Sequence, residues 1–304
     1  MTGGSLSGFR RRGPPRERAK PKDKPMTVCI AGACMHEGEH AIVMCCDWQG
    51  TYGQFVKADH MIKSHQVGRF SIMFADDRTH SHQLITAITP HLRGYEEVPK
   101  TPGDMDIRVG GLIEAIKLAA AAKMRANVEH YIQLTYGVTG KEFREGSRQW
   151  MSERRHDEAW ERITGVSLGC ELLICYADDE EPLMLTLHGD GAVSWSDPHA
   201  CIGSGTDIAL VCLSQIFYSA SMPLMDCLQR IYTAKEMSQK GLYVGESSNF
   251  DILIHRRPER KLTEKGWQKL QEFGIQHVLK PEEIEFEKDF IGTQRKPPSE
   301  EGGQ

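Results

Sequence analysis

Hydrophobic and polar positions follow two kinds of pattern along the chain, in separate blocks. Apolar, β-rich runs at 27–34 and 41–47 flank a short polar connection that contains Gly38, which predicts a β-hairpin. Further strands are predicted at about 55–63, 69–75, 169–177, 183–187, 192–195 and 250–255. Helices are predicted at about 78–92, 105–133, 206–219 and 221–239, with short helices within 137–163. Strand blocks that alternate with helix pairs favour an α+β fold.

The two ends of the chain differ in composition from its body. Residues 1–26 hold four prolines, eight basic and two acidic residues, so this leader carries +6 and the rest of the chain −11 of a total of −5. Such a segment cannot form a core, and we expect it to be disordered. Residues 256–304 are strongly polar and are predicted to form a C-terminal extension. The folded domain is therefore expected at 27–255, and its acidic charge argues against nucleic acid as a partner.

Composition also bears on where the protein works. The longest apolar run, 41–46, has six residues, against the roughly 18 that a membrane span needs, so no membrane segment is expected. The leader lacks the apolar stretch of a secretory signal. Nine cysteines include no C-x-x-C pair. We therefore expect free thiols, a reducing compartment and a cytoplasmic location.

Two short motifs match known ligand-binding signatures only in part. His36-Glu37-x-x-His40 matches the zinc-peptidase pattern, whose chemistry requires both imidazoles on one helical face. Gly38 and the flanking strands place this motif in a hairpin, so a solvated turn is favoured over a zinc peptidase, and no metal or cofactor is expected. Ile202-Gly-Ser-Gly205 lacks the Lys-Ser/Thr of phosphate loops and is interpreted as a strand-to-helix turn.

A third constellation is spread over the whole body of the chain. Asp47 and Lys63 lie sixteen residues apart, downstream of a strand that begins at Thr27. The other pieces are Gly50-Thr51-Tyr52-Gly53, the strand 71–75, Ser167-Leu168-Gly169 and Ile202-Gly-Ser-Gly205. In this order they resemble the β subunits of the proteasome and their bacterial relatives, within the N-terminal nucleophile hydrolases. The resemblance runs through about 27–255.

This resemblance implies a four-layer α-β-β-α sandwich and a threonine peptidase. It makes Thr27 the nucleophile, Asp47 and Lys63 its charged partners, and Ser167 the supporting serine near the threonine amine. The chemistry agrees, because a hydroxyl is a weak nucleophile and a free terminal amine on the same residue supplies a base. The pKa of such an amine, about 7.7–8.0, suits neutral pH.

The chain departs from the family pattern at two places. The small-Gly-Gly turn that provides the oxyanion hole reads Ala75-Asp76-Asp77, so the backbone N–H of Asp76 is expected to take this role. The segment before the last strand differs as well, and Glu246 and Ser247 are its candidate substitutes.

The same correspondence predicts a substrate pocket. Gly50, Met61 and Phe74 would line the pocket for the residue before the cleaved bond. Phe74 would fill its floor and favour a small or medium apolar side chain.

Thr27 must become the N-terminus for this chemistry. Either translation begins at Met26 and ordinary methionine removal exposes Thr27, or residues 1–26 are a propeptide. The resemblance also implies a homo-oligomer, a ring or larger assembly, acting on peptides and served by an ATP-dependent unfoldase. The alternatives are an N-terminal nucleophile amidohydrolase acting on a small amide, and an inactive structural subunit that retains its leader.

Overall fold

A computed structural model describes most of the body of the chain. It covers residues 27–47, 50–52, 56–58, 63–98, 101, 103–178, 180–215, 218–241, 248–255, 260–262, 266, 268 and 291–293. Within these residues the fold is α+β, with two large antiparallel sheets and six helices. The leader and the predicted site residues Met61, Glu246 and Ser247 lie outside the described residues.

The strands and helices follow the predicted block order. The strands are β1 (Cys29–His36), β2 (Glu39–Asp47), β3 (Gly50–Tyr52), β4 (Val56–Ala58), β5 (Ser64–Val67), β6 (Phe70–Asp76), β7 (Cys170–Ala177), β8 (Pro182–Leu187), β9 (Val193–Trp195), β10 (His199–Ile202), β11 (Ser248–Ile254), β12 (Arg260–Leu262) and β13 (Ile291–Thr293). The helices are α1 (Arg78–Glu97), α2 (Met105–Tyr136), α3 (Gly140–Trp150), α4 (Glu153–Thr164), α5 (Thr206–Gln215) and α6 (Leu224–Gly241). None of the described helices is long and apolar enough to cross a membrane.

The strands form two large sheets and one small one. The first has the order β10-β1-β2-β11-β12-β13, and the second has the order β5-β6-β7-β8-β9. Strands β3 and β4 form a separate two-stranded sheet. All neighbouring strands are antiparallel.

The predicted hairpin of β1 and β2 is confirmed. His36 pairs with Glu39, and the two residues between them, Glu37 and Gly38, have φ angles of 52° and 82°. Two consecutive left-handed residues form the turn that matches the twist of a tight hairpin. A glycine at the second position adopts this conformation without steric cost.

Three apolar clusters occupy the two faces of each sheet. Alternate β1 residues divide between two of them, since Cys29 and Ala31 join residues of the second sheet, whereas Ile30 joins residues of α5 and α6. A third cluster packs the second sheet against α1 and α2. Both large sheets are therefore buried on two sides, which explains why β1, β2 and β7 are almost continuously apolar.

Five of the described strands were missed by the sequence analysis, namely β3, β5, β10, β12 and β13. Strand β10 is too short for a periodic pattern and was interpreted as part of the turn before α5, and β5 was likewise not predicted. Within the tail, which was predicted only as a polar extension, β12 pairs with β11 and β13 with β12. Each of these two strands has three residues, too few for a periodic pattern, so their conformation depends on pairing within the sheet rather than on local sequence.

Candidate active site

Thr27, Lys63 and Asp47 meet at one end of the first sheet. The Lys63 Nζ donates to Thr27 Oγ1 at 2.9 Å, and to Asp47 Oδ1 and Oδ2 at 2.9 and 2.8 Å. The structure thus brings together the three residues that the sequence analysis predicted as nucleophile and charged partners. An ammonium has three hydrogens, and all three have acceptors here.

The ion pair is held by the strands around it. Asp47 is the last residue of β2 and is fully buried, and its Oδ1 also accepts from the Val28 N–H at 3.2 Å. Lys63 directly precedes β5, is 4% exposed, and its carbonyl accepts from the Phe74 N–H at 3.1 Å. Burial raises the pKa of Asp47, and the Lys63 charge opposes that rise.

The loop 203–205 holds the backbone of Thr27. The Gly205 N–H donates to the Thr27 carbonyl, and the Thr27 N–H donates to Ser204 Oγ, both at 3.1 Å. Gly203 has a φ of 91°, and a Cβ there would overlap the Thr27 carbonyl. Glycine is therefore required at Gly203 by both its backbone conformation and the close approach of Thr27.

An acidic side chain in β7 supports this loop. Glu171 Oε2 accepts from the Gly203 N–H at 2.9 Å. The same strand pairs Glu171 with Ala75 of β6, and the Ala75 side chain lies beside Gly203. Glu171 was not among the predicted site residues. Its signal was a single carboxylate inside the otherwise apolar run 170–177.

The serine that contacts the Thr27 nitrogen in the structure is Ser204, whereas the sequence analysis assigned this place to Ser167. Ser167 is exposed, and its hydroxyl accepts from the Gly169 N–H at 3.2 Å. Ser167 lies three residues before β7. The carbonyl of Gly169, which follows in the same segment, accepts from the Asp77 N–H. The Gly-Ser-Gly sequence was noticed as a turn, but only the pairing of β10 with β1 brings it to Thr27.

Asp76, the predicted oxyanion residue, ends β6 in a left-handed conformation. Its φ is 71°, a region that glycine adopts freely and that aspartate tolerates at a cost of roughly 1–2 kcal/mol. Asp77 then caps α1 by accepting from the His80 N–H at 2.9 Å. The unusual conformation thus occurs at the position where the resembled family has glycine.

The predicted pocket residues are described only in part. Phe74 is buried in β6 and packs with α1, where its ring lies 5.8 Å from that of His82. Gly50 begins β3 and pairs with Ala58. Their role as pocket residues remains a prediction.

The zinc-peptidase alternative lacks the geometry that it requires. His36 pairs with Glu39 and Met35 with His40, so His36 and His40 occupy opposite faces of the hairpin. Within the described ranges, no three His, Cys, Asp or Glu side chains are grouped as metal ligands would be.

Comparisons with known proteins give a likeness among solved structures only. No protein-family model and no curated protein matches this chain. The chain is similar to the crystal structure of eukaryotic HslV from Trypanosoma brucei, with 16% identity and a TM-score of 0.44 over 75% of this chain and 99% of that chain. A likeness of this size carries no functional inference. Any function must therefore be argued from the geometry at Thr27.

Proposed function

We propose that this protein is a threonine-type hydrolase that cleaves amide bonds of peptides once Thr27 has become its N-terminus. The observation that carries the proposal is the 2.9 Å hydrogen bond from the buried Lys63 ammonium to the Thr27 hydroxyl. A cation at this distance stabilises the developing alkoxide and so increases the nucleophilicity of the hydroxyl. Asp47 holds that cation in place through both carboxylate oxygens.

The geometry also favours one base over another. Both oxygens of the buried Asp47 carboxylate contact Lys63 Nζ, an environment that favours the ammonium form, and an ammonium has no lone pair with which to accept the Thr27 proton. The base must come from elsewhere, and the α-amine of a terminal Thr27 lies on the same residue. Ser204 Oγ, 3.1 Å from the Thr27 nitrogen, would orient that amine.

The reaction proceeds in two stages on this constellation. The Thr27 oxygen attacks the substrate carbonyl carbon while its proton moves to the α-amine, and the backbone N–H of Asp76 stabilises the oxyanion. Collapse breaks the C–N bond, the leaving amine takes the proton, and an ester remains on Thr27. Water then attacks the ester carbonyl and gives a proton to the α-amine. The Thr27 oxygen leaves and recovers that proton as the acid is released.

The finer fold and assembly belong to the same proposal. A four-layer α-β-β-α sandwich is supported by the three apolar clusters, which involve α5 and α6, the two sheets, and α1 and α2. A homo-oligomeric ring, an ATP-dependent unfoldase as partner and a cytoplasmic location are supported only by the sequence resemblance.

The experiment controls the state of the Thr27 amine. A specific protease site is placed so that cleavage leaves Thr27 as the first residue, and hydrolysis of fluorogenic peptides is measured before and after cleavage. Activity should increase at least a hundredfold on cleavage, remain absent in Thr27→Ala, and be partly retained in Thr27→Ser. Equal activity before and after cleavage would contradict the proposal. Activity only on small acyl amides would assign the chain to the amidohydrolase alternative.

A further inference from the structure

A cavity of about 360 Å³ lies between the C-terminal part of α1 and the first turns of α2. Its lining is largely apolar or small and includes Pro90, Gly94, Val98, Gly111 and Leu112. Two polar side chains among its lining residues, Tyr95 and Arg108, are largely buried. The volume is within the range of small-molecule sites, roughly 300–1,000 Å³.

Arg108 is a buried cation with unused hydrogen-bonding capacity. Its side chain is 7% exposed, yet neither Nε nor Nη2 has a hydrogen-bond partner among the described residues. These adjacent nitrogens form one edge of the guanidinium, the arrangement that binds both oxygens of a carboxylate. Asp104 Oδ1 lies 3.8 Å from the remaining Nη1, which is too long for a hydrogen bond.

Tyr95 adds a neutral donor beside this cation. The Arg108 guanidinium lies 4.5 Å above the centre of the Tyr95 ring, and the Tyr95 hydroxyl has no hydrogen-bond partner within the described part of the chain. Burial raises the pKa of Tyr95 to about 12, so the phenol keeps its proton at neutral pH and remains a donor.

We infer that this cavity binds a small monocarboxylate with an apolar body. The polar atoms of Arg108 and Tyr95 are buried, so the two side chains would turn toward the cavity as the ligand enters. The carboxylate would then pair with the Nε–Nη2 edge of Arg108 and accept from Tyr95, while the apolar part would lie against Pro90 and Leu112. A single carboxylate matches one guanidinium. A phosphate dianion would leave charge unbalanced near Asp104 and would not fill the apolar part of the cavity.

This site is separate from the candidate active site. Helix α1 begins two residues after Asp76, whereas the cavity involves Pro90–Val98 at its other end. At about 1.5 Å per residue, the two ends lie roughly 20–30 Å apart. The inference therefore does not depend on the proposed hydrolase activity.

Two neighbouring glycines of α2 provide a matched test. A Cβ at either Gly110 or Gly111 would meet no atom within 4 Å, so a larger side chain is accommodated at both positions. Only Gly111 lines the cavity. Gly111→Leu should therefore fill the cavity, and Gly110→Leu controls for the effect of the same substitution on the helix.

The experiment measures hexanoate binding to the full chain by calorimetry, with hexanol, hexylamine and phosphate as comparison ligands. Hexanoate should bind at least tenfold more tightly than the others. Arg108→Met should weaken it about tenfold or more, the range expected for a lost charged hydrogen-bond pair. Arg108→Lys should recover only part of the affinity, and Tyr95→Phe should cost about threefold. Gly111→Leu should abolish binding, with Gly110→Leu within about twofold of wild type.

Three results would overturn the inference. The first is no detectable hexanoate binding by wild type. The second is hexanol or phosphate binding as tightly as hexanoate. The third is unchanged affinity in Gly111→Leu or Arg108→Met, with circular dichroism confirming that each variant is folded.

Discussion

Lys63 and Arg108 are two buried cations with opposite hydrogen-bonding states. Lys63, 4% exposed, donates to three oxygens at 2.8–2.9 Å. The Arg108 side chain, 7% exposed, has two nitrogens without a hydrogen-bond partner in the described structure and only a 3.8 Å contact with Asp104. Both bury a charge, but only the first has its hydrogen bonds completed within the fold.

The difference indicates what each cation does. A buried ion pair contributes to stability only when its geometry is nearly complete, because desolvation costs several kcal/mol per ion. Lys63 meets that condition and in addition contacts the Thr27 hydroxyl, which supports its proposed action on Thr27. Arg108 does not meet it, and an anionic ligand would supply the missing acceptors. In the two proposals, a buried basic residue therefore serves a reaction at one site and ligand recognition at the other.

The sharpest test of this comparison is the same substitution at both cations. Lys63→Met should reduce hydrolysis more than a hundredfold and lower the free energy of unfolding by about 3 kcal/mol, because Asp47 stays buried without its partner. Arg108→Met should change the free energy of unfolding by no more than about 1 kcal/mol and leave hydrolysis unchanged. Denaturant unfolding and peptide hydrolysis measure both. Similar losses of stability at the two positions would break the comparison.

The next prediction tests whether Ser204 or Ser167 supports the Thr27 nitrogen. Ser204→Ala should reduce hydrolysis about tenfold, since the Thr27 nitrogen loses the acceptor 3.1 Å away. Ser167→Ala is the matched control and should remain near wild type, because Ser167 is exposed and its hydroxyl accepts from the Gly169 N–H. Steady-state kinetics of both variants decide the question. A larger loss in Ser167→Ala would restore the assignment made from sequence.

The activity should also depend on pH at two limits. The rate should rise near neutral pH as the Thr27 amine loses its proton, since only the neutral amine accepts one. At the acid end, burial raises the pKa of Asp47, so its protonation and the loss of activity should begin above the range of an ordinary aspartate.

The raised pKa of Asp47 should also change how the free energy of unfolding depends on pH. The folded chain holds the Asp47 proton more tightly than the unfolded chain, so the contribution of Asp47 to stability should decrease as pH rises through its pKa. The difference in unfolding free energy between wild type and Asp47→Asn, measured against pH, checks this sign. A contribution that increases with pH would contradict it.

The smallest effect is expected at Asp76. Asp76→Gly should stabilise the fold by up to about 1 kcal/mol, because glycine adopts a φ of 71° without strain, and should retain activity because the backbone N–H remains. Thermal unfolding and hydrolysis measure the two effects. Loss of activity in Asp76→Gly would show that the carboxylate, rather than the backbone, is needed.

The sequence predicted the helices and strands better than it predicted the contacts between residues that are distant in the chain. The hairpin of β1 and β2 followed from local pattern, as did the long helices α1 and α2, because turn residues and periodicity act locally. Asp47 and Lys63 were assigned through the family resemblance, of which their spacing is one part. Ser204 and Glu171 were missed, since their roles depend on pairing between strands more than ninety residues apart in the chain. No sequence pattern pointed to Arg108, because the lack of hydrogen-bond partners at its guanidinium is seen only once α1 packs against α2.

The most direct test of the account is the location of the acyl group on the enzyme. Chain that begins at Thr27 is mixed with an activated acyl substrate, quenched in acid, digested and analysed by mass spectrometry. The account predicts one acyl group as an ester on the N-terminal peptide that starts at Thr27, and none in Thr27→Ala. Acylation of another residue, or full activity from chain that still begins at Met1, would contradict it.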